Sequence, residues 1–340
     1  MKNNCSLVLA AGKGKRMKSN SPKVLSDVLF KPMLGWVIDS IKNSEISNIC
    51  VVSGFKHEEV EDYLKSNHSD CENALQLELN GTGHAVKMAE NFLNKHRGQD
   101  VLILNGDAPF VSSKTIVDSY NMHKNQNNAA TVISARLDDP FGYGRIVRNI
   151  DGKVKAIIEQ KDADDEVKKI DEVNSGAYWF NIDLLLSVLD DLSNDNAQGE
   201  YYLPDTLKLL LERGKSVDAF LADSPELVLG ANDCMQLYDL NQIARNNIIK
   251  KFMEQGIKIP CTDGVVIGPD VVIGSGSMIL PGTIITGKSS IGNNCVVGPC
   301  SYVVDSIVGD NVKLNSVNLN KASIKDNEFI KPFTYIDEAK

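Results

Sequence analysis

Two periodicities divide this chain. From residue 4 to about residue 230, short apolar runs alternate with segments whose apolar positions recur at helical spacing. The runs at 7–10, 49–52 and 101–104 predict buried strands, and 131–135, 153–158 and 177–180 predict further ones. Residues 32–41, 57–64 and 115–123 predict helices. This β-α-β rhythm predicts an α/β, Rossmann-like domain whose mainly parallel sheet is covered by helices on both faces. Sheets of that kind bind ligands at the carboxyl ends of their strands.

Residues 233–254 predict one connecting helix. Asn232 or Asp233 can cap it, Met235, Tyr238, Ile248 and Phe252 recur near helical spacing, and Gly256 ends it. After Gly264 the period becomes six. Ile267, Ile273, Ile279, Ile285, Ile291, Val297 and Val303 are β-branched and six apart, and Gly268, Gly274, Gly292 and Gly298 follow four of them. The frame then shifts. Val308 and Leu314 keep the spacing, and Ile324, Ile330 and Ile336 resume it. A meander of short strands would show a period of two, so the pattern predicts a parallel β-helix of about four coils, three hexads to a coil. The expected division is 1–231, a linker helix at 232–256, and a repeat domain at 264–336.

With 340 residues, two domains fit better than one. An apolar fraction of 42% and a charged fraction of 24% are ordinary for a globular protein with a sizeable core. Lys plus Arg number 36 against 45 Asp plus Glu, a net charge of −9 that argues against general binding to nucleic acid or to an anionic membrane. No apolar run approaches the roughly 18 residues of a membrane span, and residues 7–11 are too short for the core of a signal peptide. The seven cysteines lack metal-site spacing, so a reduced cytoplasmic protein with buried thiols is expected.

Local chemistry stands out against this acidic background. Residues 9–17, Leu-Ala-Ala-Gly-Lys-Gly-Lys-Arg-Met, follow the first strand directly. Glycines let backbone N–H groups approach phosphate oxygens, and Lys13, Lys15, Arg16, Lys18 and Lys23 crowd in with no acid among them. The segment is neither a dinucleotide fingerprint nor a P-loop, since GxGxxG fails and no Gly-Lys-Ser/Thr closes it. It reads as a site for a strongly anionic ligand or as a solvated basic turn. Asn105-Gly106-Asp107-Ala108-Pro109 follows another strand. Asp107 there can bind a divalent cation carried by phosphates, or simply belong to a turn.

With these segments the chain resembles the bacterial bifunctional N-acetylglucosamine-1-phosphate uridyltransferase/glucosamine-1-phosphate acetyltransferase family over nearly its whole length. Residues 9–17 with Pro22-Lys23 resemble L-x-x-G-x-G-[TS]-x-M…P-K, with Lys15 at the usual small hydroxyl position. The more specific matches are Gly81-Thr82-Gly83-His84-Ala85, Glu159-Gln160-Lys161-Asp162-Ala163 and residues 196–203, Asn-Ala-Gln-Gly-Glu-Tyr-Tyr-Leu. Gly54-Phe55-Lys56-His57, residues 142–147, Val173-Asn174-Ser175-Gly176 and Gly230-Ala231-Asn232-Asp233 match as well. Leu79, Asn80, Asn105, Pro204 and Cys234 depart from the family pattern around the base and sugar pockets.

The resemblance implies a Rossmann-like nucleotidyltransferase domain followed by a short left-handed parallel β-helix of hexapeptide repeats. It implies that UTP and N-acetylglucosamine 1-phosphate give UDP-N-acetylglucosamine, a cell-wall precursor, and pyrophosphate. By position, Ala11, Gly12, Gly14, Arg16 and Lys23 would hold the triphosphate, with Arg16 and Lys23 as the transition-state cations. Gln76, Gly81 and Thr82 would border the uracil, Asp107 and Asn232 would ligate Mg²⁺, and Gly144, Glu159 and Asn174 would hold the sugar. His84 is expected to be a structural hydrogen-bonder, Trp36 and Trp179 to be core, and residues 162–171 to be a solvated loop. The family assembles as trimers through its β-helix, so a homotrimer is expected.

The second activity of that family is expected to be missing. All five histidines (57, 68, 84, 96 and 123) lie in the first domain, and acyl transfer to an amine needs a base. Residues 332–337 resemble the family's Arg-rich stretch but put Tyr335 and Asp337 at the Arg positions. Two alternatives stand beside the main reading: a nucleotidyltransferase for another sugar 1-phosphate, and a silent nucleotide-binding regulatory subunit.

Overall fold

The computed structural model describes residues 1–17, 19–196 and 198–338, except for the Lys15 side chain. The chain forms two compact units, 1–26 with 32–234 and 27–31 with 235–340. Through residue 221 its strands are β1 (Cys5–Ala10), β2 (Asp27–Val28), β3 (Lys31–Pro32), β4 (Asn48–Ser53), β5 (Glu72–Leu75), β6 (Asp100–Asn105), β7 (Ala130–Arg136), β8 (Arg145–Arg148), β9 (Val154–Ile158), β10 (Glu172–Asn181) and β11 (Val217–Leu221). The helices are α1 (Met33–Asn43), α2 (His57–Asn67), α3 (Thr82–Met88), α4 (Glu90–Lys95), α5 (Ser113–Asn125), α6 (Ile182–Leu189), α7 (Asp205–Glu212) and α8 (Cys234–Glu254).

In the first unit the sheet order is β11-β7-β10-β6-β1-β4-β5, with β8 pairing β10 and β9. β6, β1, β4 and β5 run parallel, and β10 runs antiparallel to both β6 and β7. β1, β4, β6, β7 and the second half of β10 are buried on both sheet faces, with one apolar cluster on each face, whereas β9 is only partly buried. β5 escapes a reading by pattern because it is an edge strand, largely exposed. β10 begins five residues before the predicted run, because its ladder shifts register between Asn174 and Ala177.

Registry decides what the carboxyl edge presents. Ala10 pairs Ser53, Leu9 pairs Asn105 and Ser53 pairs Leu75. Four parallel strands therefore end level, and the residues that follow them (Ala11, Gly54, Gln76 and Gly106) emerge along one line. Phe55 N–H donates to Ala11 O (3.0 Å) and Gly106 N–H to Leu9 O (2.9 Å), which ties the loops together at their roots.

The second unit carries most of α8 and the repeats. Leu240, Ala244, Ile248, Ile249 and Phe252 are the buried face of α8. The repeats stack in parallel along three faces: Ile267-Ile285-Val303-Leu319-Ile336, Ile273-Ile291-Val308-Ile324 and Ile279-Val297-Leu314-Ile330. From Ile267 to Ile324 these side chains are buried, each worth roughly 1.5–3 kcal/mol of apolar burial. The frame shift has a simple cause. The steps 303→308, 314→319 and 319→324 are five residues long, so Leu319, off the six-residue period, is the inward residue of its face. Outward from the faces, Val272, Tyr302, Ile307, Phe329 and Tyr335 stand exposed.

Two smaller expectations need correction. Trp179 is fully buried and donates to Ser119 Oγ (3.1 Å), but Trp36 is only half-buried, edge-on to Phe110. Of the seven free cysteines, Cys5, Cys50 and Cys295 are buried, while Cys234 and Cys300 are exposed. Buried thiols are thus part of the set, and burial pushes Cys5 and Cys50 up to about 12. Residues 162–171 include a 3-10 turn, Val167–Lys169. No helix among the described residues is long and apolar enough to cross a membrane.

Candidate active site

A cavity of about 600 Å³ opens at the carboxyl edge of β1, β4 and β6. Ala11, Gly12, Gly14, Arg16, Lys23, Gln76, Gly81, Thr82, Asp107 and Asn232 all line it. Every residue expected to touch nucleotide or metal thus meets the others in one place, although they come from five separate stretches of chain. Lys13 lines it too, its ammonium 5.3 Å from the centre of the Phe55 ring. Lys18 falls outside the described residues, as does the Lys15 side chain.

Two close approaches build the centre. Gly14 has a positive φ of 59°, and a Cβ there would lie 2.7 Å from Lys23 Cβ. Only glycine lets the loop fold back over that lysine. Lys23 itself starts a 3-10 turn, Lys23–Leu25, directly after Pro22. At Gly230 a Cβ would lie 2.9 Å from Asp107 O, so glycine allows the segment bearing Asn232 to lie against the Asp107 loop.

The result is a three-way contact. The Lys23 ammonium donates to Asn232 Oδ1 at 2.7 Å and pairs with the Asp107 carboxylate. The Lys23 side chain is only 12% exposed and that of Asp107 is 27% exposed, so the pair is poorly screened. Asn232 belongs to the first unit, and its side-chain oxygen makes this contact there. A carboxylate and an amide oxygen converging on one cation form a hard-oxygen donor pair. Mg²⁺ takes few protein ligands and favours such donors. Among the described residues there is no cluster of three His, Cys, Asp or Glu that would make a closed cage for a softer metal. The donor set fits Mg²⁺, with the lysine ammonium standing where that charge belongs.

Gly144, Glu159 and Asn174 come together with one another, but none of them lines this cavity. Asn174 N–H donates to Gly144 O (2.8 Å), and a Cβ on Gly144 would lie 3.0 Å from Glu159 Oε1. The Asn174 side chain is held locally, donating to Tyr178 Oη (2.7 Å) and accepting from Gly176 N–H (3.0 Å). Glu159 lines a second cavity, of about 400 Å³, with Asp162, Tyr202, Pro204 and Asp205. Burial and the neighbouring Asp162 and Asp205 raise the Glu159 carboxyl above its ordinary range, against the pull of Arg145.

Some contributors are not visible in a linear reading. Gly54 would bring a Cβ to 2.7 Å from Ala11 Cβ and 2.8 Å from Gln76 O, so it keeps two loop roots in contact. Glu200 and Leu79 line the main cavity. The Gly-Phe-Lys-His match was the only signal for Gly54, and nothing in it specifies the approach to Ala11.

Comparison with known proteins bears directly on this arrangement. The family model described as nucleotidyl transferase matches residues 5–252, and the bacterial transferase hexapeptide model (six repeats) matches 270–305. The chain is 41% identical over 330 residues to the bifunctional protein GlmU of Acetivibrio thermocellus, covering 97% of this chain and 71% of that one. It is 44% identical over 332 residues to the GlmU of Fervidobacterium nodosum, covering 98% and 71%. The chain belongs to the GlmU family of nucleotidyl transferases. Like Clostridium acetobutylicum GlmU (42% identical over 334 residues), these relatives are longer, and the chain spans about 71% of their length. A Bacillus anthracis protein solved with sucrose and described as a glucose-1-phosphate thymidylyltransferase shares the fold, with a TM-score of 0.59 and 22% identity over 72% of this chain and 96% of that one.

This GlmU family member is a nucleotidyltransferase, and its cavity suits that chemistry. Three cations (Lys13, Arg16 and Lys23) face a space that also holds two hard oxygen donors. A protein nucleophile is not required of such a site, because a phosphate ester brings its own charged oxygen.

Proposed function

We propose that the chain transfers a uridylyl group from UTP to N-acetylglucosamine 1-phosphate in its first unit. The contact of Lys23 with both Asp107 and Asn232 carries this reading. It concentrates, in one cavity, a positive charge and the oxygens able to hold a second one. An oxygen of the sugar phosphate attacks the α-phosphorus. The bond from that phosphorus to the bridging oxygen breaks, and the electron pair leaves with pyrophosphate. No proton moves, because the attacking oxygen is already ionised.

The chain's own residues must then bring two polyanions together. Asp107 and Asn232 would hold Mg²⁺. When bound, Mg²⁺ neutralises and orients phosphate oxygens. Lys23, displaced from its oxygen partners, turns its ammonium to the triphosphate beside Arg16. Backbone N–H groups of the Ala11–Gly14 turn complete the cradle, and the charge they oppose grows as pyrophosphate departs. Gln76, Gly81 and Thr82 border the base, while Gly144, Glu159 and Asn174 orient the sugar.

Pyrophosphate release from a panel of nucleoside triphosphates and sugar 1-phosphates, with and without Mg²⁺, tests the proposal. Uridine with N-acetylglucosamine 1-phosphate is the expected best pair. Another best pair, or no turnover with any pair, would displace the reading toward the alternatives above. The same proposal gives the repeats of residues 264–336 no part in acetyl transfer, because Tyr335 and Asp337 occupy the basic positions. Release of CoA from acetyl-CoA in the presence of glucosamine 1-phosphate would contradict that part.

The raised Glu159 carboxyl supplies a pH signature. Ionised, it offers two charged acceptor oxygens to the sugar hydroxyls; a proton, gained on acidification at a pH above the ordinary carboxylate value of about 4.3, removes that charge and turns one oxygen into a donor. The KM for the sugar phosphate should therefore rise as pH falls through that raised value, while Glu159→Gln should have a high KM that no longer follows this group. A wild-type and variant KM with the same pH dependence would remove Glu159 from the sugar site.

A further inference from the structure

Gln76 is buried, 3% exposed, yet lines the main cavity. Its side-chain nitrogen has two engagements: it donates to Gly81 O at 3.1 Å and lies 3.0 Å from His84 Nδ1. A backbone carbonyl can only accept, so the nitrogen, not the oxygen, must face Gly81. The same nitrogen then donates its second hydrogen to the Nδ1 lone pair of His84. Both hydrogens are engaged, and Oε1 is the polar atom left to meet a ligand.

We propose that His84 is a positioning residue that, acting with the Gly81 carbonyl, sets base specificity by holding Gln76 with its carbonyl oxygen toward the nucleotide. The inference rests on the reading that a uracil base enters beside Gln76. Uracil carries a hydrogen on N3, which an acceptor can bind. Cytosine carries a lone pair at that position, which an acceptor repels. A buried acceptor with no freedom to rotate discriminates between them; an amide free to present its NH₂ does not.

The support around His84 is consistent with a fixed ring. Tyr201 lies beside it, with ring centroids 6.4 Å apart, and Tyr201 N–H is bound to Asn80 O (2.8 Å). Gly83 N–H in turn donates to Tyr201 O (2.8 Å), so the backbone of Tyr201 holds the segment bearing Gly81 and His84 at two points. The far side of His84 borders a separate cavity of about 340 Å³ with Leu189 and Leu192, which gives room for a larger ring.

Two variants separate acceptor from bulk. His84→Phe keeps an aromatic ring and removes the acceptor; His84→Asn loses the ring and can keep an acceptor near the Nδ1 position. The readout is the ratio of kcat/KM for UTP to that for CTP. His84→Phe should lower that ratio by about tenfold or more, and His84→Asn should retain most of it. A ratio unchanged in His84→Phe, or lost equally in both variants, overturns the role while leaving UTP turnover by the wild-type chain as evidence for the parent reading. Failure of the wild-type chain to use any pyrimidine triphosphate overturns both.

Discussion

Lys23→Ala lowers kcat by on the order of 100-fold, about 3 kcal/mol of transition-state stabilisation. The argument begins with its surroundings. The side chain is 12% exposed and its ammonium is held by a carboxylate and an amide oxygen, so its charge acts in a poorly solvated space. With the oxygens holding a metal, the same ammonium is free to face the phosphates, where negative charge accumulates on the leaving group. A loss confined to that moment appears in kcat more than in the KM for UTP. Lys23→Arg should recover little, because the backbone of Gly14 lies directly over the side chain and leaves no width for a planar guanidinium. Steady-state kinetics with UTP saturating checks this. A decrease below tenfold, or a lower Tm with kcat preserved, would reduce Lys23 to a structural partner of Asp107.

How far the sequence reveals this centre depends on distance along the chain. β1, β4 and β6 are buried on both faces, so their continuous apolar runs announce them, and the loops after β1 and β6 announce themselves as glycine-bearing turns with charge. The level ending of four strands is different. It follows from pairings such as Leu9 with Asn105, which no local pattern encodes. Asn232 lies 209 positions from Lys23, and its arrival depends on the bare backbone of Gly230 against Asp107 O. Family resemblance could link those residues; periodicity could not. In the repeat unit the reverse holds. Each inward position is set by its neighbours a few residues away, so the pattern is legible until a five-residue step hides Leu319. His84 and Gln76 are close in sequence, but their contact bridges a strand end and a helix start, where neither period applies.

Removal of the proposed metal donor has the largest expected effect. Asp107→Ala abolishes Mg²⁺-dependent turnover, a loss on the order of 1,000-fold or more. Asp107 is the carboxylate of the donor pair, and Asn232 alone offers one neutral oxygen. The substitution also releases Lys23 from its ion pair, and that release tests the balance of the two roles. If positive charge near the phosphates were the entire requirement, the freed ammonium would partly compensate and activity would persist. If a carboxylate-held cation is required, no such compensation occurs, and raising Mg²⁺ does not restore the rate. Asp107→Asn sharpens the comparison: it keeps an oxygen of similar size but removes the charge that attracts the ion, so its half-saturating Mg²⁺ should rise with part of kcat retained. Titrating Mg²⁺ against pyrophosphate release, with Mn²⁺ binding measured separately by spin resonance, distinguishes these cases. Unchanged turnover and an unchanged metal response in Asp107→Ala would place the ion elsewhere, and the Lys23 contact would then be an ion pair of the resting fold with no part in the reaction.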